Sequence, residues 1–263
     1  MIEKVTLAAE LEFGLETTDG QVVNYLQGEI ASKVALEYAQ RTGVINYFPT
    51  LKGELDASQL ELTTDGYSMN THKVASDLAS YHYYLENFVS GRLSEFVKTQ
   101  LVLSTRSVPV NWNYEPATSD SFPHYAIIDK KLRDIGLEYR RATNVRGVHV
   151  HVGTMNRTQG LAMLNKLFGS ELDIWELLEG MYSPERISQI EMVLDGLGET
   201  SDYEICHQVE NYNPGHCFIR HTKYDTIEFR QFDMGMQTKI SSSVLYDKVF
   251  SFINKSLEIL ELN

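Results

Sequence analysis

Four segments of the chain alternate apolar and polar residues with the two-residue period of a half-buried β-strand. They cover residues 5–15, 59–63, 147–153 and 226–231. In each segment the alternation places apolar side chains on one face and ionisable side chains on the other. If these strands share a sheet, one side is an apolar floor for helices. The other side gathers groups that hold cations and phosphate.

The polar faces of these strands carry three kinds of ionisable group: carboxylates, imidazoles and one guanidinium. In chain order their ionisable residues are Glu10, Glu12, Glu61, His149, His151, Glu228 and Arg230. Residues two apart on a strand lie about 7 Å apart on one face, so neighbouring glutamates repel in a dry site unless a cation lies between them. Magnesium prefers such oxygen ligands, and a site that also contains a histidine nitrogen can accept manganese as well. A planar arginine fork matches phosphate oxygens, so the set indicates phosphoryl transfer from a nucleotide.

Helical spacing between the strands indicates the fold class. It predicts helices over residues 24–41, 72–89, 96–103, 125–137, 160–179 and 241–262, and the proline-rich residues 107–123 are predicted as a loop beside a site. Long helices between half-polar strands predict an α+β fold with a mainly antiparallel sheet covered on one face. No repeat or linker marks a boundary, so we expect a single catalytic domain over residues 1–263.

Composition narrows the class of protein. The chain has 263 residues, of which 43% are hydrophobic and 22% charged, as in an ordinary globular protein. A net charge of −13 argues against nonspecific nucleic-acid binding, and it is compatible with a nucleotide bound through a divalent metal. No apolar run approaches a membrane span and no signal peptide is visible, so no membrane association and a cytoplasmic location are expected. Cys206 and Cys217 are too few for a disulfide framework.

Each polar pattern also has a structural interpretation. Glu-x-Glu on a strand is often the solvated face of an antiparallel sheet, and His-x-His can be a hydrogen-bonded or partly buried pair. Glu-x-Arg is usually a weak surface ion pair. Arginines 140, 141 and 146 can solvate a loop, although Arg146 lies immediately before the histidine strand. Cys217 with His216 and His221 does not have the spacing of a structural zinc site.

The polar segments, taken in order, resemble a known family. Glu10-Leu11-Glu12 is similar to its opening Glu-x-Glu strand, and Glu54 followed by Glu61-Leu62-Thr63-Thr64 is similar to its second acidic motif. Gly147 to Gly153 and Glu228-Phe229-Arg230 are similar to its histidine strand and its Glu-x-Arg strand. Residues 104–109 stand where the family has a Gly-Thr-His-Pro segment, and the match there is poor. The family is the carboxylate-amine ligases of glutamate-cysteine ligase family 2, within the glutamine synthetase superfamily.

The resemblance implies a fold, an activity and residue roles. The fold is a curved antiparallel sheet whose concave face forms an active-site funnel. The activity is ATP-dependent joining of a small-molecule carboxylate, with an amino acid as the default, to an amine through an acyl phosphate. The implied metal ligands for Mg²⁺, or Mn²⁺, are Glu10, Glu12, Glu54, Glu61, His149 and Glu228. Arg230 and Glu228 are the implied catalytic residues, and Arg230, Arg146 and His151 are the candidates for binding the cofactor ATP.

Two rival functions remain open, as does assembly. The first is a non-catalytic member of the same fold that binds metal or nucleotide. The second is a metal-dependent oxygenase or isomerase, which also carries His-x-His on a strand. That class usually has a carboxylate a few residues after the second histidine, where this chain has Met155 and Asn156. Exposed sheet edges allow a homo-oligomer, although the sequence does not determine one.

Overall fold

The computed structural model describes residues 6–23, 50–53, 59–63, 71–84, 86, 90–104, 146–153, 156–168, 219–222, 224–233 and 242–260. Its strands are β1 (Leu7–Thr17), β2 (Thr50–Gly53), β3 (Gln59–Thr63), β4 (Leu101–Ser104), β5 (Gly147–Gly153), β6 (Ile219–His221) and β7 (Thr226–Asp233). Its helices are α1 (Thr71–Tyr84), α2 (Ser90–Val97), α3 (Arg157–Phe168) and α4 (Ser242–Ile259). β1 pairs with β3 and β4, β2 with β3, and β7 with β5 and β6, all antiparallel, which confirms the α+β class. None of these helices has the length and apolar content needed to span a membrane.

The predicted strands are confirmed. β3 and β5 have the predicted bounds, while β1 and β7 each continue two residues beyond them. The helices predicted over residues 72–89, 160–179 and 241–262 are confirmed by α1, α3 and α4, of which α1 begins at Thr71 and α3 at Arg157. The predicted end of α1, at residue 89, lies outside the described residues. The helices predicted over residues 24–41 and 125–137, the loop predicted over residues 107–123, and the predicted end of α3 lie outside the described residues.

The helix predicted over residues 96–103 is wrong. Instead, α2 ends at Val97, Lys98 has a φ of 56°, and the chain enters β4 at Leu101. A left-handed residue ends a helix because the next peptide units leave the helical axis. The backbone N–H of Leu101 then donates a hydrogen bond to Ser94 Oγ over 2.8 Å, which fixes the turn between the two elements.

The chain forms two compact units, and both β1 and α1 pass from one to the other. Unit 1 comprises Met1–Ala9, Gly66–Ser76 and Gly147–Asn263, and unit 2 comprises Glu10–Asp65 and Asp77–Arg146. The prediction of a single catalytic domain stays a prediction.

Unit 1 packs helices against the apolar side of β5, β7 and β6. β7 pairs with β5 on one side and with β6 on the other, and Gly153 N–H donates a hydrogen bond to the Thr6 carbonyl over 2.8 Å. Val148, Val150, Val152, Ile227, Phe229 and Phe232 are fully buried. The ring of Phe252 on α4 meets Phe229 and Phe232 edge-on at 6.0 and 5.5 Å. The three valines, Ile227 and Phe229 are the apolar positions that the alternation predicts, and Phe232 lies outside that pattern.

Unit 2 is built around the remainder of β1. β3 and β4 pair with opposite edges of β1, because Gly14 is the register partner of both Gln59 and Ser104, and β2 pairs with the far edge of β3. Leu11, Phe13 and Leu62 are fully buried. Phe13 meets the ring of His82 on α1 edge-on at 5.4 Å. The apolar residues of β1 therefore pack as the sequence predicts, and its glutamates occupy the alternate positions.

Candidate active site

The histidine strand and the Glu-x-Arg strand are direct neighbours in unit 1. His151 is the register partner of Glu228, and Val148 that of Phe232, with a shift in register between these two pairs. Across the shift β7 takes one more residue than β5, as in a β-bulge. The bulge allows Phe229 and Phe232, three positions apart, to be buried together. Glu228 precedes the bulge and alternates with Ile227 and Phe229, so it lies on the strand face opposite the core.

One carboxylate oxygen is the centre of this cluster. Glu228 is fully buried, and its Oε1 accepts a hydrogen bond from Nη1 of Arg230. The same oxygen lies 3.7 Å from His149 Nδ1 and 3.8 Å from His151 Nε2. Burial of a carboxylate is costly unless charge and hydrogen bonds compensate it, and the permanently charged guanidinium supplies that compensation. Glu-x-Arg here is therefore not the weak surface ion pair of the structural interpretation.

His151 is held from its other side by two threonines. Its Nδ1 lies 3.0 Å from Thr226 Oγ1, the first residue of β7. The hydroxyl of Thr226 lies 2.7 Å from that of Thr222, and the backbone N–H of Thr222 donates to the Thr226 carbonyl over 2.8 Å. The short loop between β6 and β7 thus places both hydroxyls beside the histidine. The sequence analysis did not identify Thr222 or Thr226.

Unit 2 contains a second group of carboxylates. Glu12 on β1 and Glu61 on β3 are direct register partners and are only 8% and 3% exposed. Thr63 Oγ1 donates a hydrogen bond to Glu61 Oε1 over 2.8 Å, and Glu10 is the register partner of Thr63. Like charges directly opposite each other destabilise a strand pair. The interpretation of Glu-x-Glu as a solvated face is wrong for Glu12, since burial removes it from water.

A buried arginine lies over the same face of β1. Arg146 is fully buried, which excludes the alternative that it solvates a loop. A Cβ placed on Gly14 would lie 3.2 Å from its Nε and its Nη2. Because side chains alternate along a strand, Glu12, Gly14 and Glu16 share one face, and Glu16 is also buried. The guanidinium therefore occupies the place left by the missing side chain between two buried glutamates.

The structure brings the predicted residues together in two groups. Unit 1 holds His149, His151, Glu228 and Arg230, and unit 2 holds Glu10, Glu12, Glu61 and Arg146. Glu54 lies outside the described residues. Glu16 was missed, although continuing the two-residue alternation of β1 past Gly14 would have identified it. The threonines of the loop carried no comparable signal, because their relevance comes from the pairing of β5 with β7.

Both groups suit divalent cations by the chemistry of their donors. In unit 1 two imidazole nitrogens each lie within 3.8 Å of one carboxylate oxygen, and nitrogen donors beside oxygen favour manganese or a similar metal over magnesium. In unit 2 the opposed carboxylates of Glu12 and Glu61 offer oxygen donors, which magnesium prefers. A cation would relieve the repulsion between these two glutamates.

Comparison with known proteins gives structural likenesses only. No family model and no curated protein matches the sequence. A bifunctional glutathione synthetase from Pasteurella multocida is 16% identical with a TM-score of 0.49, over 98% of this chain and 39% of that one. GmaS without ligand is 12% identical with a TM-score of 0.49, over 96% of this chain and 54% of that one. Plasmodium falciparum glutamine synthetase is 12% identical with a TM-score of 0.41, over 97% of this chain and 52% of that one.

The chain thus spans between 39% and 54% of the length of these three proteins. Likeness at this level carries no argument about activity. The function proposed below therefore rests on the residues of this chain.

Proposed function

We propose that the protein is an ATP-dependent carboxylate-amine ligase that forms an amide bond through an acyl phosphate. The observation that carries the proposal is the buried Glu228 oxygen, on which Arg230, His149 and His151 converge. An arginine beside a metal-competent carboxylate suits the transfer of a phosphoryl group, because positioning and charge neutralisation supply most of the catalysis there. The order of motifs along the chain, from Glu10 to Arg230, supports the same conclusion.

The proposed reaction has two steps, phosphoryl transfer and then amide formation. A carboxylate oxygen of the acid attacks the terminal phosphorus of ATP, and ADP leaves. The amine nitrogen then attacks the carbonyl carbon of the acyl phosphate, inorganic phosphate leaves, and the nitrogen loses a proton to give the amide. Bound divalent metal supplies charge neutralisation for the phosphates of ATP. The acid and the amine are small molecules, with an amino acid as the default carboxylate.

The residues of the chain then divide into metal ligands and groups that bind phosphate, and Glu228 contributes to both functions. Glu10, Glu12, Glu54, Glu61, His149 and Glu228 would hold divalent metal. Arg230 would donate hydrogen bonds to the transferred phosphoryl group, and Glu228 would orient that guanidinium through the hydrogen bond between them. The burial of Glu228 strengthens this interaction, since charges in a low-dielectric site are poorly screened. Arg146 is the weaker candidate for contact with ATP, because Gly14 and the glutamates of β1 surround the place it occupies.

The test is phosphate release from magnesium ATP across a matrix of amino acids and small amines. We expect ADP and phosphate to appear only with a particular acid and amine. Arg230→Ala should lose about a hundredfold in turnover, as expected for one electrostatic contact to the transition state. Arg157→Ala, which removes an exposed arginine from α3, is the matched control and should remain active. A fully active Arg230→Ala enzyme would contradict the assignment.

Glu228→Gln tests the metal site, and binding assays on the native chain separate catalysis from binding. The amide keeps the side-chain shape and loses the negative charge, so we expect weaker divalent-metal binding and loss of phosphate release. Metal and nucleotide binding without turnover on any substrate pair would support the non-catalytic member of the fold. Absence of both would contradict the ligase proposal and that alternative together.

The oxygenase or isomerase alternative loses support from the position of Asn156. Its side-chain Oδ1 accepts a hydrogen bond from the backbone N–H of Gln159 over 3.0 Å, so it caps the first turn of α3. It therefore serves the helix at the place where that class would carry its third metal ligand. Stoichiometric iron in freshly purified protein would restore this alternative.

A further inference from the structure

The loop between β6 and β7 contains a chain of hydrogen-bonding groups that ends at His151 and Glu228, two of the candidate metal-binding residues. The hydroxyl oxygens of Thr222 and Thr226 are 2.7 Å apart, and Thr226 Oγ1 is 3.0 Å from His151 Nδ1. On the other side of the ring, His151 Nε2 is 3.8 Å from Glu228 Oε1. All four residues belong to unit 1.

The loop itself is fixed by its backbone. Asp225 has a φ of 54°, and its N–H donates to the Thr222 carbonyl over 3.2 Å. The N–H of Tyr224 donates to Thr222 Oγ1, also over 3.2 Å. These bonds hold the hydroxyl oxygen of Thr222 in place. A hydroxyl carries one proton, so the direction of each bond along the chain constrains the next.

Two proton arrangements satisfy the chain. In the first, Thr226 donates to Thr222 and accepts from Nδ1–H of His151, which leaves a lone pair on Nε2. In the second, every bond is reversed and Nε2 carries the proton. In this second arrangement the proton on Nε2 gains no hydrogen bond from Glu228 Oε1, which at 3.8 Å is beyond hydrogen-bond length. A distance of 3.8 Å between His151 Nε2 and Glu228 Oε1 instead suits two atoms that bind the same cation and do not bond to each other.

We propose that Thr226, supported by Thr222, is a positioning residue that keeps the proton of His151 on Nδ1 and presents Nε2 as a metal ligand. The inference rests on the proposed function and deepens it, because it gives His151 a place among the metal ligands. Metal-binding histidines commonly donate their other ring N–H to an oxygen, which fixes both the tautomer and the orientation of the ring. Here a pair of hydroxyls performs that task.

The first measurement is the tautomer of His151 in protein freed of metal by a chelator. Ring nitrogen chemical shifts of ¹⁵N-histidine-labelled protein report it, and His151→Gln assigns the signal. The spectra are recorded at a pH at which the nitrogen shifts themselves report a neutral ring. We expect the Nδ1–H form in the native chain. Thr226→Val removes the acceptor with little change in shape, so it should move the population toward the Nε2–H form.

The second measurement is the affinity for Mn²⁺ by titration calorimetry. Thr226→Val should weaken it by about tenfold or more, the usual loss when such an outer partner of a ligand is removed. Thr226→Ser restores the hydroxyl and should recover both the tautomer and the affinity. Thr222→Val should have a smaller effect. Thr158→Val, at an exposed position of α3, is the control and should change neither quantity.

The outcomes separate this inference from the ligase proposal. An Nε2–H tautomer in the native chain, or a Thr226→Val variant with unchanged tautomer and affinity, overturns the inference even in an active ligase. The Nδ1–H tautomer, with Mn²⁺ affinity that depends on Thr226 and is rescued by serine, supports it even in a protein that never releases phosphate. A protein that never releases phosphate would contradict only the proposed ligase activity.

Discussion

Gly14 makes room for the guanidinium of Arg146. A side-chain carbon at this position of β1 would lie 3.2 Å from both Nε and Nη2 of that arginine. Arg146 is fully buried, and Glu12 and Glu16 flank Gly14 on the same face of the strand. A glycine within a strand usually weakens it, but here it permits the close approach of a buried cation to buried carboxylates.

Gly14→Ala is therefore expected to destabilise the protein, although a strand or helix is normally more stable with alanine than with glycine in its interior. The new methyl group must displace a buried guanidinium, and overpacking of this kind costs about 1–3 kcal/mol. Urea denaturation measures the change in the free energy of unfolding.

A double-mutant cycle isolates the cause. Arg146→Gln shortens the side chain and removes its charge, so Gly14→Ala should cost clearly less in that background than in the native chain. Equal costs in the two backgrounds would show that the strain at Gly14 does not come from Arg146.

The opposed pair Glu12 and Glu61 predicts a trade-off between stability and metal binding. Glu12→Gln relieves a repulsion between direct register partners worth about 0.5–1 kcal/mol, so in the presence of a chelator it should stabilise the protein by the amount that this exceeds the attraction it loses to the guanidinium of Arg146. The native chain should gain about 2.7 kcal/mol when Mg²⁺ or Mn²⁺ is raised to a hundred times its Kd, and the variant should gain much less at the same concentration.

Thermal unfolding with and without metal measures both effects. Glu95→Gln, the same substitution at an exposed position of α2, is the control and should leave the metal response unchanged. A variant that is less stable than the native chain in chelator, yet keeps the full metal response, would exclude Glu12 as a ligand.

The sequence predicted the long, alternating strands and missed the short ones. β1, β3, β5 and β7 were predictable because burying one face imposes a two-residue period. β4 was assigned to a helix, since its four residues are too short to show that period and its pairing with β1 is distant in sequence. The Glu-x-Glu, His-x-His and Glu-x-Arg positions were likewise predictable from alternation. The contacts of Arg146 with Gly14 and of Thr226 with His151 were not, because they join residues that are far apart in the chain.

Gly160 on α3 approaches His221 on β6 even more closely. A Cβ on Gly160 would lie 2.2 Å from Cδ2 and 2.6 Å from Nε2 of that ring. Glycine-to-alanine changes in a helix normally stabilise it by up to about 1 kcal/mol. Gly160→Ala should do the opposite, because the helix or the imidazole ring of His221 must shift to accept the methyl group. A loss of more than about 2 kcal/mol in urea denaturation is expected.

Gly91 offers a matched control for this substitution. It lies in α2, and among the described residues no atom outside its own helix and chain neighbours comes within 4 Å of the Cβ that alanine would add. Gly91→Ala should therefore be neutral or stabilising, as helix propensity alone predicts. If both variants changed stability in the same direction and by similar amounts, the packing of Gly160 against His221 would not be the determining contact.

The pair of His82 and Glu86 predicts how one part of unit 2 responds to acid. His82 Nε2 lies 3.0 Å from Glu86 Oε1, and this hydrogen bond lowers the pKa of Glu86 below its ordinary value of 4.5. A carboxyl whose pKa is lower in the folded state than in the unfolded state stabilises the fold above its ordinary pKa. That contribution is lost as the pH falls through the folded-state value.

Glu86→Gln should therefore be less stable than the native chain well above pH 4.5, and the difference should shrink as the pH falls below that value. Urea denaturation of both proteins over this range gives the difference directly. Because the Glu86 side chain is 47% exposed, solvent screening keeps the effect small. Glu258→Gln, which removes the partner of Lys255 on the surface of α4, serves as the control for an ordinary exposed ion pair. A difference for Glu86→Gln that grew toward low pH would have the opposite sign from linkage, and would show that the pKa of this carboxyl is not lowered by His82.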